Sequence, residues 1–425
     1  MRSHQLLIAI IAVALPLGVW SNPTPTGGAN RSRGIGCGII QNLDSLKNLT
    51  APFTSTGHNT DDTYPTFPDL VYEVRIAAID NLSPIEFDYN EHVKRYIDIY
   101  SIERREQVSQ MLGLAQLYFP LFDELLDKYQ LPLELKYLAV VESALNPLAV
   151  STSGAVGLWQ FKINTGRMFD LEVNSYIDER MDPEKSTEAA CLYLKYLYRI
   201  FNDWHLVMAA YNAGPGVVRN AIFRSGGETN FWKLLNHLPE AAQNYVPAFV
   251  AAAYIMQHAH EHNIVSAMPT AQYMETDTVV VTKTVTLQAI AQHTNIPVDY
   301  LRFLNPKYRR GVVPENDKGN SIRLPISEVQ NYLEHEQDIL GSTPSHMTFH
   351  DILAKAGSTE NRVRTIHIVQ PGDYLHKIAV RYNCTIDDIN IWNSNMSPDL
   401  AIGQQITLWV DKQTYDLMQL STVGF

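Results

Sequence analysis

The sequence has few cysteines and no dense basic segment. Its 425 residues include only Cys37, Cys191 and Cys384. This odd, scattered set predicts no disulfide framework, and no His/Cys spacing is typical of a metal site. The formal net charge of -12 argues against a nucleic-acid partner, because no basic block is present to neutralise phosphates. We therefore expect no metal, no cofactor and no nucleic acid.

Long apolar runs are scarce as well. The exception is residues 6–19, which follow Arg2 and end two residues before Ser21. The run is short for a bilayer span, and its small residues are spaced as a signal peptidase requires. This layout predicts a cleaved secretory signal over residues 1–21, with an uncleaved membrane anchor as the alternative. Export is therefore expected.

Composition divides the next part of the chain into two segments. Residues 22–69 are rich in Pro, Thr, Gly, Ser and Asn, which predicts a flexible tether. Residues 70–268 carry apolar side chains at steps of three and four, which predicts an all-helical domain. Prolines such as Pro120 are expected at the starts or ends of its helices.

The C-terminal part contains an internal repeat. Leu-Gln-Ala-Ile-Ala begins at Leu287 and Leu-His-Lys-Ile-Ala begins at Leu375, and later positions match at the same spacing. Each copy ends in a strand-like piece. The pattern predicts two βααβ modules, which on an exported chain usually add binding valency. The expected bounds are 273–327 and 364–411 for the modules, 328–363 for a connector and 412–425 for a tail.

Glu142 is the candidate for chemistry, because it continues an apolar helical stripe. Leu131, Leu135, Leu138 and Leu145 share its helix face. Desolvation on that face would raise the pKa of the carboxyl group, and a protonated carboxyl group can donate to a glycosidic oxygen. The alternative is a structural glutamate that caps the helix or pairs with an arginine.

Small, aromatic and amide residues follow Glu142. Residues 151–157 are small enough for a ligand to approach their backbone closely. Trp159 offers an aromatic face for a sugar ring, and Gln160 offers an amide for its polar groups. Tyr211-Asn212 and later Tyr245 add phenol and amide groups. Each has an ordinary explanation in helix packing, but their joint occurrence in this order is not expected by chance.

These motifs resemble a known family. The strings Glu-Ser at 142, Gly-Ala-Val-Gly-Leu-Trp-Gln-Phe at 154–161, Ala-Tyr-Asn-Ala-Gly at 210–214 and Tyr-Val-Pro at 245–247 resemble the lytic transglycosylase domain of the soluble lytic murein transglycosylase type. That domain belongs to glycoside hydrolase family 23 and is related in fold to goose-type lysozyme. The repeats resemble LysM modules, which bind glycans that contain N-acetylglucosamine.

The resemblance implies a fold and an activity. The fold would be mainly α, with a lysozyme-like all-helical catalytic domain followed by two small α/β LysM modules. The substrate would be the glycan strands of peptidoglycan in the periplasm, in association with the cell wall or outer membrane. The enzyme would cleave the bond between N-acetylmuramic acid and N-acetylglucosamine and leave a 1,6-anhydromuramic acid end.

The resemblance also implies roles for individual residues. Glu142 would act as acid and then base, and Ser151 and Gln160 would hold the N-acetylmuramic acid ring. Tyr211 and Asn212 would position the substrate and orient Glu142, and Tyr245 would line the groove. Further candidates with a weaker basis are Ser143, Trp159 and Gly157.

Some positions depart from the family pattern. Lys162 lies where the family commonly has a Met-Pro pair, and Glu240 comes one position earlier than the glutamate of the family's Glu-Thr pair. The first repeat has Lys283-Thr-Val where the second has Pro-Gly-Asp. The first repeat is thus expected to bind weakly or to be structural.

Two alternative functions stay open for the protein: a goose-type muramidase that uses water and a non-catalytic wall-binding protein. Ordinary glycosidases need two carboxylates, whereas an N-acetyl group of the substrate can replace one of them.

Overall fold

The computed structural model describes most of the chain between residues 37 and 415. The described residues are 37–49, 53–55, 64–151, 153–270, 275–342, 359, 362–370, 373–382, 384, 386–393, 400–411 and 415. The signal predicted at 1–21 lies outside them, as does the tail predicted at 412–425 apart from Tyr415. Within these ranges, no helix combines the length and the apolar character needed to cross a membrane.

Helices build the region from Tyr64 to Thr270. Asn90, Asp182 and Asp203 begin three of them, and each side chain accepts a hydrogen bond from a free backbone N–H of the first turn. The helices up to this point are α1 Cys37–Ser45, α2 Asp69–Asp80, α3 Glu91–Asp98, α4 Arg105–Lys128, α5 Tyr137–Ser143, α6 Ile163–Met168, α7 Pro183–Phe201, α8 Trp204–Ala213, α9 Pro215–Arg224, α10 Phe231–Leu234 and α11 Glu240–His258.

Helix α11 forms the centre of the helical region. All its residues from Tyr245 to Ile255 are buried, and it packs against α3, α5 and α8. A helix that is apolar on all sides is stable only when other elements cover it. Helices α5 and α8, which carry predicted site residues, are therefore fixed against the same core helix.

Pro120 lies inside a helix, so its predicted place at a helix boundary is wrong. Helix α4 continues through it from Arg105 to Lys128. A proline removes one backbone hydrogen bond and disfavours the helix locally. Here Leu114, Phe122 and Leu126 are fully buried on both sides of Pro120, and this packing holds the helix together.

The predicted tether at 22–69 is wrong for the part of it that is described. Residues Cys37–Ser45 form helix α1, in which Leu43 is 1% exposed, and α1 packs against α5 and α11. The side chain of Asn42 donates to the carbonyl of Val141 at 2.9 Å. Strand β1, Phe53–Ser55, pairs antiparallel with β2, Met268–Pro269. This segment is folded onto the helical region.

The C-terminal part contains two βααβ modules, as the repeat predicts. In the first, β3 pairs antiparallel with β6, and Val279 lies opposite Ile322. In the second, β7 pairs with β8, and His367 lies opposite Ile406. The elements are β3 Thr276–Val281, β4 Val285–Thr286, α12 Leu287–His293, α13 Val298–Leu304, β5 Val312–Val313, β6 Asn320–Pro325, α14 Ile326–Glu334, α15 Glu336–Ser342, β7 Arg362–Ile368, α16 Leu375–Arg381, α17 Ile386–Trp392 and β8 Gln405–Asp411.

Each module contains an asparagine that makes the same three hydrogen bonds. The Asn305 amide donates to the carbonyls of Leu301 and Arg323 and accepts from the Arg323 N–H. Asn393 makes the equivalent three bonds with Ile389 and Thr407. Because each amide joins the second helix of its module to the last strand, the repeated asparagine is structural.

The connector predicted at 328–363 begins too early. Tyr332 on α14 and Ile339 on α15 are 1% and 0% exposed and belong to the core of the first module. The expected fold class is confirmed: a helical region is followed by two small α/β modules. Contacts unite the described residues from 37 to 415 in one unit.

Candidate active site

Glu142 lies near the end of helix α5. The helix stops at Ala144, whose φ of 52° is left-handed, and Leu145 follows with a φ of 61°. Apart from Glu142, the residues of α5 are buried, whereas the Glu142 side chain is partly exposed. Within the described part of the chain, no salt bridge joins it to a basic side chain. The structure therefore does not support the alternative in which Glu142 pairs with an arginine.

Tyr245 holds the Glu142 carboxylate. The phenol lies on α11, is 2% exposed, and donates to Glu142 Oε1 at 2.6 Å. Burial raises the pKa of Glu142 from 4.5 to about 7, against the lowering effects of the Tyr245 hydrogen bond and the positive charge of Lys162. Burial and the nearby carboxylate raise the pKa of Tyr245 well above 10, so the phenol remains a donor.

Ser151 and Gln160 lie at the two ends of a compact loop. Val156, at its middle, forms antiparallel bridges with Val150 and Phe161. Ser151 Oγ accepts from the Ala155 N–H at 3.0 Å. Gln160 has a φ of 48°, and its Nε2 lies 2.9 Å from the Gly157 carbonyl. Both side chains are partly exposed, so each keeps a surface that can meet a ligand.

Trp159 and Gly157 are both buried, so the ring of Trp159 does not offer the exposed aromatic face that we expected. Trp159 is 0% exposed, its Nε1 donates to Thr187 Oγ1 at 2.8 Å, and its ring packs on Phe122. A Cβ on Gly157 would lie 2.2 Å from the Arg180 carbonyl oxygen. The glycine therefore permits a close approach within the protein. The sequence shows residue types at a spacing but does not show which side chains turn inward.

Ser143 is fully buried behind the carboxylate. Its Oγ lies 3.0 Å from the Ala139 carbonyl and 2.9 Å from the Leu158 carbonyl. The hydroxyl group thus ties the end of α5 to the loop that carries Gln160. Ser143, a weaker site candidate, therefore supports the end of helix α5.

Tyr211 and Asn212 lie together near the end of helix α8, and both are partly exposed. Tyr211 donates to the Trp159 carbonyl at 2.9 Å, so it fixes the loop from the other side. The orientation of Glu142 that was expected of Tyr211 and Asn212 is provided by the phenol of Tyr245. Periodicity could not distinguish the two tyrosines, because each lies on a core helix.

Arg180 contacts the same loop, and the sequence analysis did not single it out. Its side chain is 0% exposed and forms a bidentate pair with Asp178, at 2.9 and 2.7 Å. Its Nη1 also donates to the carbonyls of Gly154 and Phe161, at 3.2 and 3.1 Å. Arg180 therefore binds the loop at two points, Gly154 and Phe161. The sequence shows only a largely charged segment at 178–182, which does not reveal that Asp178 and Arg180 are buried.

One cluster elsewhere has donor atoms suited to a metal. Glu86, Asp88 and His205 bring ligand atoms within 4.8 Å of one another. His205 Nε2 lies 2.8 Å from the Glu86 carbonyl oxygen, and Asp88 accepts from the Trp232 indole N–H. These hydrogen bonds give His205 and Asp88 structural partners, so we assign no metal to the cluster.

Three family matches cover much of the chain. Residues 120–234 match the Transglycosylase SLT domain. Residues 275–340 match the LysM-like domain of lytic transglycosylase MltD, and residues 367–409 match the LysM domain. Glu142 and the loop of residues 151–161 lie within the first match, and each βααβ module has a match of its own.

Relatives agree with these matches. Membrane-bound lytic murein transglycosylase D of Escherichia coli K12 is 29% identical over 286 residues, which cover 66% of this chain and 61% of the relative. Soluble lytic murein transglycosylase of the same organism is 36% identical over 103 residues, 23% of this chain and 16% of the relative.

A solved structure, the 70 kDa soluble lytic transglycosylase of Escherichia coli, matches with 29% identity over 36% of this chain and 26% of that one. Its TM-score of 0.30 is too low to define the fold. The family resemblance expected from the motifs is confirmed by the domain matches and the homologues. The chain therefore carries a Transglycosylase SLT domain followed by two LysM-type domains, and it is homologous to membrane-bound lytic murein transglycosylase D.

Proposed function

We propose that this chain is a peptidoglycan lytic transglycosylase with Glu142 as its single catalytic acid and base. The observation that carries the proposal is the environment of this carboxylate, which raises its pKa. Its pKa is raised to about 7, and Lys162, a cation, is the one charged side chain in the described residues that shifts it. An acid with that pKa can both give and accept a proton near neutral pH.

The reaction then needs no second protein carboxylate. Protonated Glu142 donates to the glycosidic oxygen as the bond to the anomeric carbon of N-acetylmuramic acid breaks. The substrate's N-acetyl group stabilises the positive charge at that carbon. Ionised Glu142 then takes the proton of the 6-hydroxyl group, whose oxygen bonds to the anomeric carbon. The product is a 1,6-anhydro ring, no water is consumed, and Glu142 is again protonated.

The other site residues receive supporting roles in this proposal. Ser151 and Gln160 bind the N-acetylmuramic acid ring from the two ends of the loop, and both are partly exposed. Tyr211 and Asn212 bind the substrate from the end of α8. Tyr245 orients Glu142 through its hydrogen bond of 2.6 Å. Substrate held in one orientation favours attack by its own hydroxyl group.

The sugar ends of the products decide between this enzyme and a muramidase that uses water. Mass spectrometry of the fragments released from purified sacculi should find anhydro ends, each lighter by one water than a reducing end. Fragments with reducing ends alone would establish the hydrolytic reaction on the same site.

Glu142→Gln tests whether the chain is an enzyme at all. The amide cannot donate or accept the proton, so release of fragments should fall by at least about a thousandfold. Glu134→Gln is the control, since Glu134 is a partly exposed glutamate in the 3₁₀ turn just before α5, and it should keep normal activity. Unchanged release by Glu142→Gln would leave only a wall-binding role.

We also propose that the second module, residues 364–411, binds glycans that contain N-acetylglucosamine. Its match to the LysM domain supports this. Soluble N-acetylglucosamine oligomers added to the full-length Glu142→Gln protein should slow amide exchange in α16 and α17. Protection that is confined to residues 64–270 would contradict binding by this module.

For location, we propose export to the periplasm through the signal at residues 1–21. The apolar run at 6–19 supports this, and the relative named above is described as membrane-bound. The proposed catalytic domain is 70–268, which the folded segments at 37–49 and 53–55 extend. N-terminal sequencing of the mature protein from the periplasm should start near residue 22.

A further inference from the structure

The first module is joined to the catalytic region through the backbone. Ile177 and Tyr308 form an antiparallel bridge. The Asp178 N–H donates to the Lys307 carbonyl at 2.9 Å, and the Arg309 N–H donates to the Tyr176 carbonyl at 2.8 Å. Two such bonds set the register of the segments and use groups that burial would otherwise leave unsatisfied. We name this contact the backbone bridge.

Side chains reinforce the backbone bridge. Ile177 is 7% exposed and is part of the hydrophobic core of the first module, where Tyr300 and Tyr308 also lie. Lys307 Nζ pairs with Asp182 Oδ2 at 3.0 Å, with side chains only 15% and 13% exposed. A residue of the catalytic region thus completes the core of a module that begins about a hundred residues later in the chain.

From the bridge, the contacts continue to the loop of residues 151–161. Asp178 donates its N–H to the module and binds Arg180 with both carboxylate oxygens. Arg180 in turn donates to the carbonyls of Gly154 and Phe161. Both charged side chains are almost completely buried, at 0% and 2% exposed. A buried, bidentate pair of this kind has a fixed geometry, and removing one partner is costly.

We propose that the first module, residues 275–342, is a brace for the catalytic loop, and that Arg180 is the positioning residue through which it acts. This deepens the proposed function and rests on it, because the loop carries Ser151 and Gln160. The opening of the first repeat also differs in structure from that of the second. Where the second module has Asp373 bound to His367, the first has Val285 paired with Val313 in a short ladder.

The test is amide hydrogen exchange on full-length variants. Ile177→Ala should speed exchange in residues 151–161 roughly tenfold, because the loop opens more often once the brace is loosened. Ile406→Ala is the matched control: it makes a similar cavity in the core of the second module and should leave the loop unchanged. If Ile177→Ala does not fold, Ile177→Val offers a smaller cavity and a smaller effect in the same direction.

Arg180→Lys tests the last contact of the brace. Lysine retains the charge beside Asp178 but cannot also reach both loop carbonyls. Loop exchange should rise about tenfold while exchange in α12 and α13 of the module stays the same. For soluble glycan, KM should rise and the alkaline limb of the pH–rate profile should not move, because Glu142 keeps its surroundings.

The outcomes separate the two proposals. Unchanged loop exchange in both Ile177→Ala and Arg180→Lys would overturn the brace, whatever Glu142→Gln does. Faster loop exchange in these variants would support the brace even if Glu142→Gln retained activity, and in that case only the proposed chemistry would fail.

Discussion

At the scale of the residue, opposing influences set the proton affinity of Glu142. Burial favours the neutral acid, whereas the Tyr245 hydroxyl group and the charge of Lys162 favour the carboxylate. The result is a pKa of about 7, where both protonation states are populated at neutral pH. One residue can then serve as acid and as base within one catalytic cycle.

Tyr245→Phe should move the pH dependence of activity upward. The hydrogen bond stabilises the ionised form of Glu142, so its removal raises the pKa of this group further. Since the first step of the proposed reaction needs protonated Glu142, activity should fall as pH rises through that pKa. The alkaline limb should shift up by about one pH unit, and kcat should fall about tenfold as orientation is lost. Initial rates on soluble glycan across pH 5–9 measure both.

Tyr254→Phe is the control for this change. Tyr254 is equally buried on α11, but its hydroxyl group bonds to Arg75 and His262. Its loss should lower stability and leave the alkaline limb in place. A downward shift for Tyr245→Phe would mean that the phenol does not stabilise the carboxylate.

Glu142→Gln should stabilise the protein at high pH. A raised pKa in the folded state means that the native protein binds this proton more tightly than the unfolded chain does. The wild type therefore loses stability as pH rises from 4.5 to about 7, and the glutamine variant does not. Above neutral pH the variant should be more stable by about 2 kcal/mol, a value discounted for partial exposure.

Urea unfolding at pH 4 and pH 8 checks this prediction. The difference between the two proteins should be small at pH 4 and largest at pH 8. An equal difference at both values would show that burial of the charge is not the cause.

At the scale of the element, the sequence predicted the helix of Glu142 better than the loop beside it. The stripe of Leu135, Leu138 and Leu145 is buried as its spacing indicated. Trp159 was misjudged because a loop has no period that could show its direction, and its pocket is formed by α4 and α7. Burial there depends on residues distant in the chain.

Helix α1 is a second element that the sequence did not predict, because composition alone indicated a flexible tether there. Ile39, Leu43 and Leu46 follow the helical spacing and are all buried. Because Pro, Thr and Gly residues surround this short periodic segment, the whole region was predicted to be a tether. Its partner surface on α5 and α11 comes from residues about a hundred and two hundred positions later, which no local pattern shows.

Leu43→Ala should loosen helix α1 and affect α5, the helix of Glu142. The side chain is 1% exposed, so its truncation should cost about 2–4 kcal/mol. Because Asn42 bonds to the carbonyl of Val141, next to Glu142, we expect faster amide exchange in α5 and lower activity. Lys47→Ala, which removes an exposed ion pair with Asp44, should change stability by less than about 0.5 kcal/mol. Equal effects of the two changes would mean that α1 is not docked in solution.

At the scale of the whole molecule, the modules are packed together as well as linked in sequence. The repeat predicted both modules and the shared role of Asn305 and Asn393. It could not predict that Ile177 enters the core of the first module, because that contact joins segments that share no motif. The first module was expected to bind glycan weakly or to be structural, and the burial of Ile177 in its core agrees with a structural role.

Two arginines link the second module to the first, and this contact should be separable from the brace. Arg310 pairs with the buried Asp388 at 2.9 Å, and Arg309 donates to the Cys384 carbonyl. Arg310 has a left-handed φ of 63°, a conformation that glycine adopts without strain. Arg310→Gly thus removes the ion pair without straining the local backbone. The second module has its own core, including Ile389 and Ile406, and it should stay folded.

We expect the radius of gyration of Arg310→Gly, measured by small-angle scattering, to exceed that of the wild type. Amide exchange in the loop of residues 151–161 should not change, because the bridge at Ile177 and Tyr308 is intact. Activity on soluble glycan should therefore be kept. A loss of that activity together with faster loop exchange would place the second module in the brace too, and the proposed catalytic unit would then extend to strand β8.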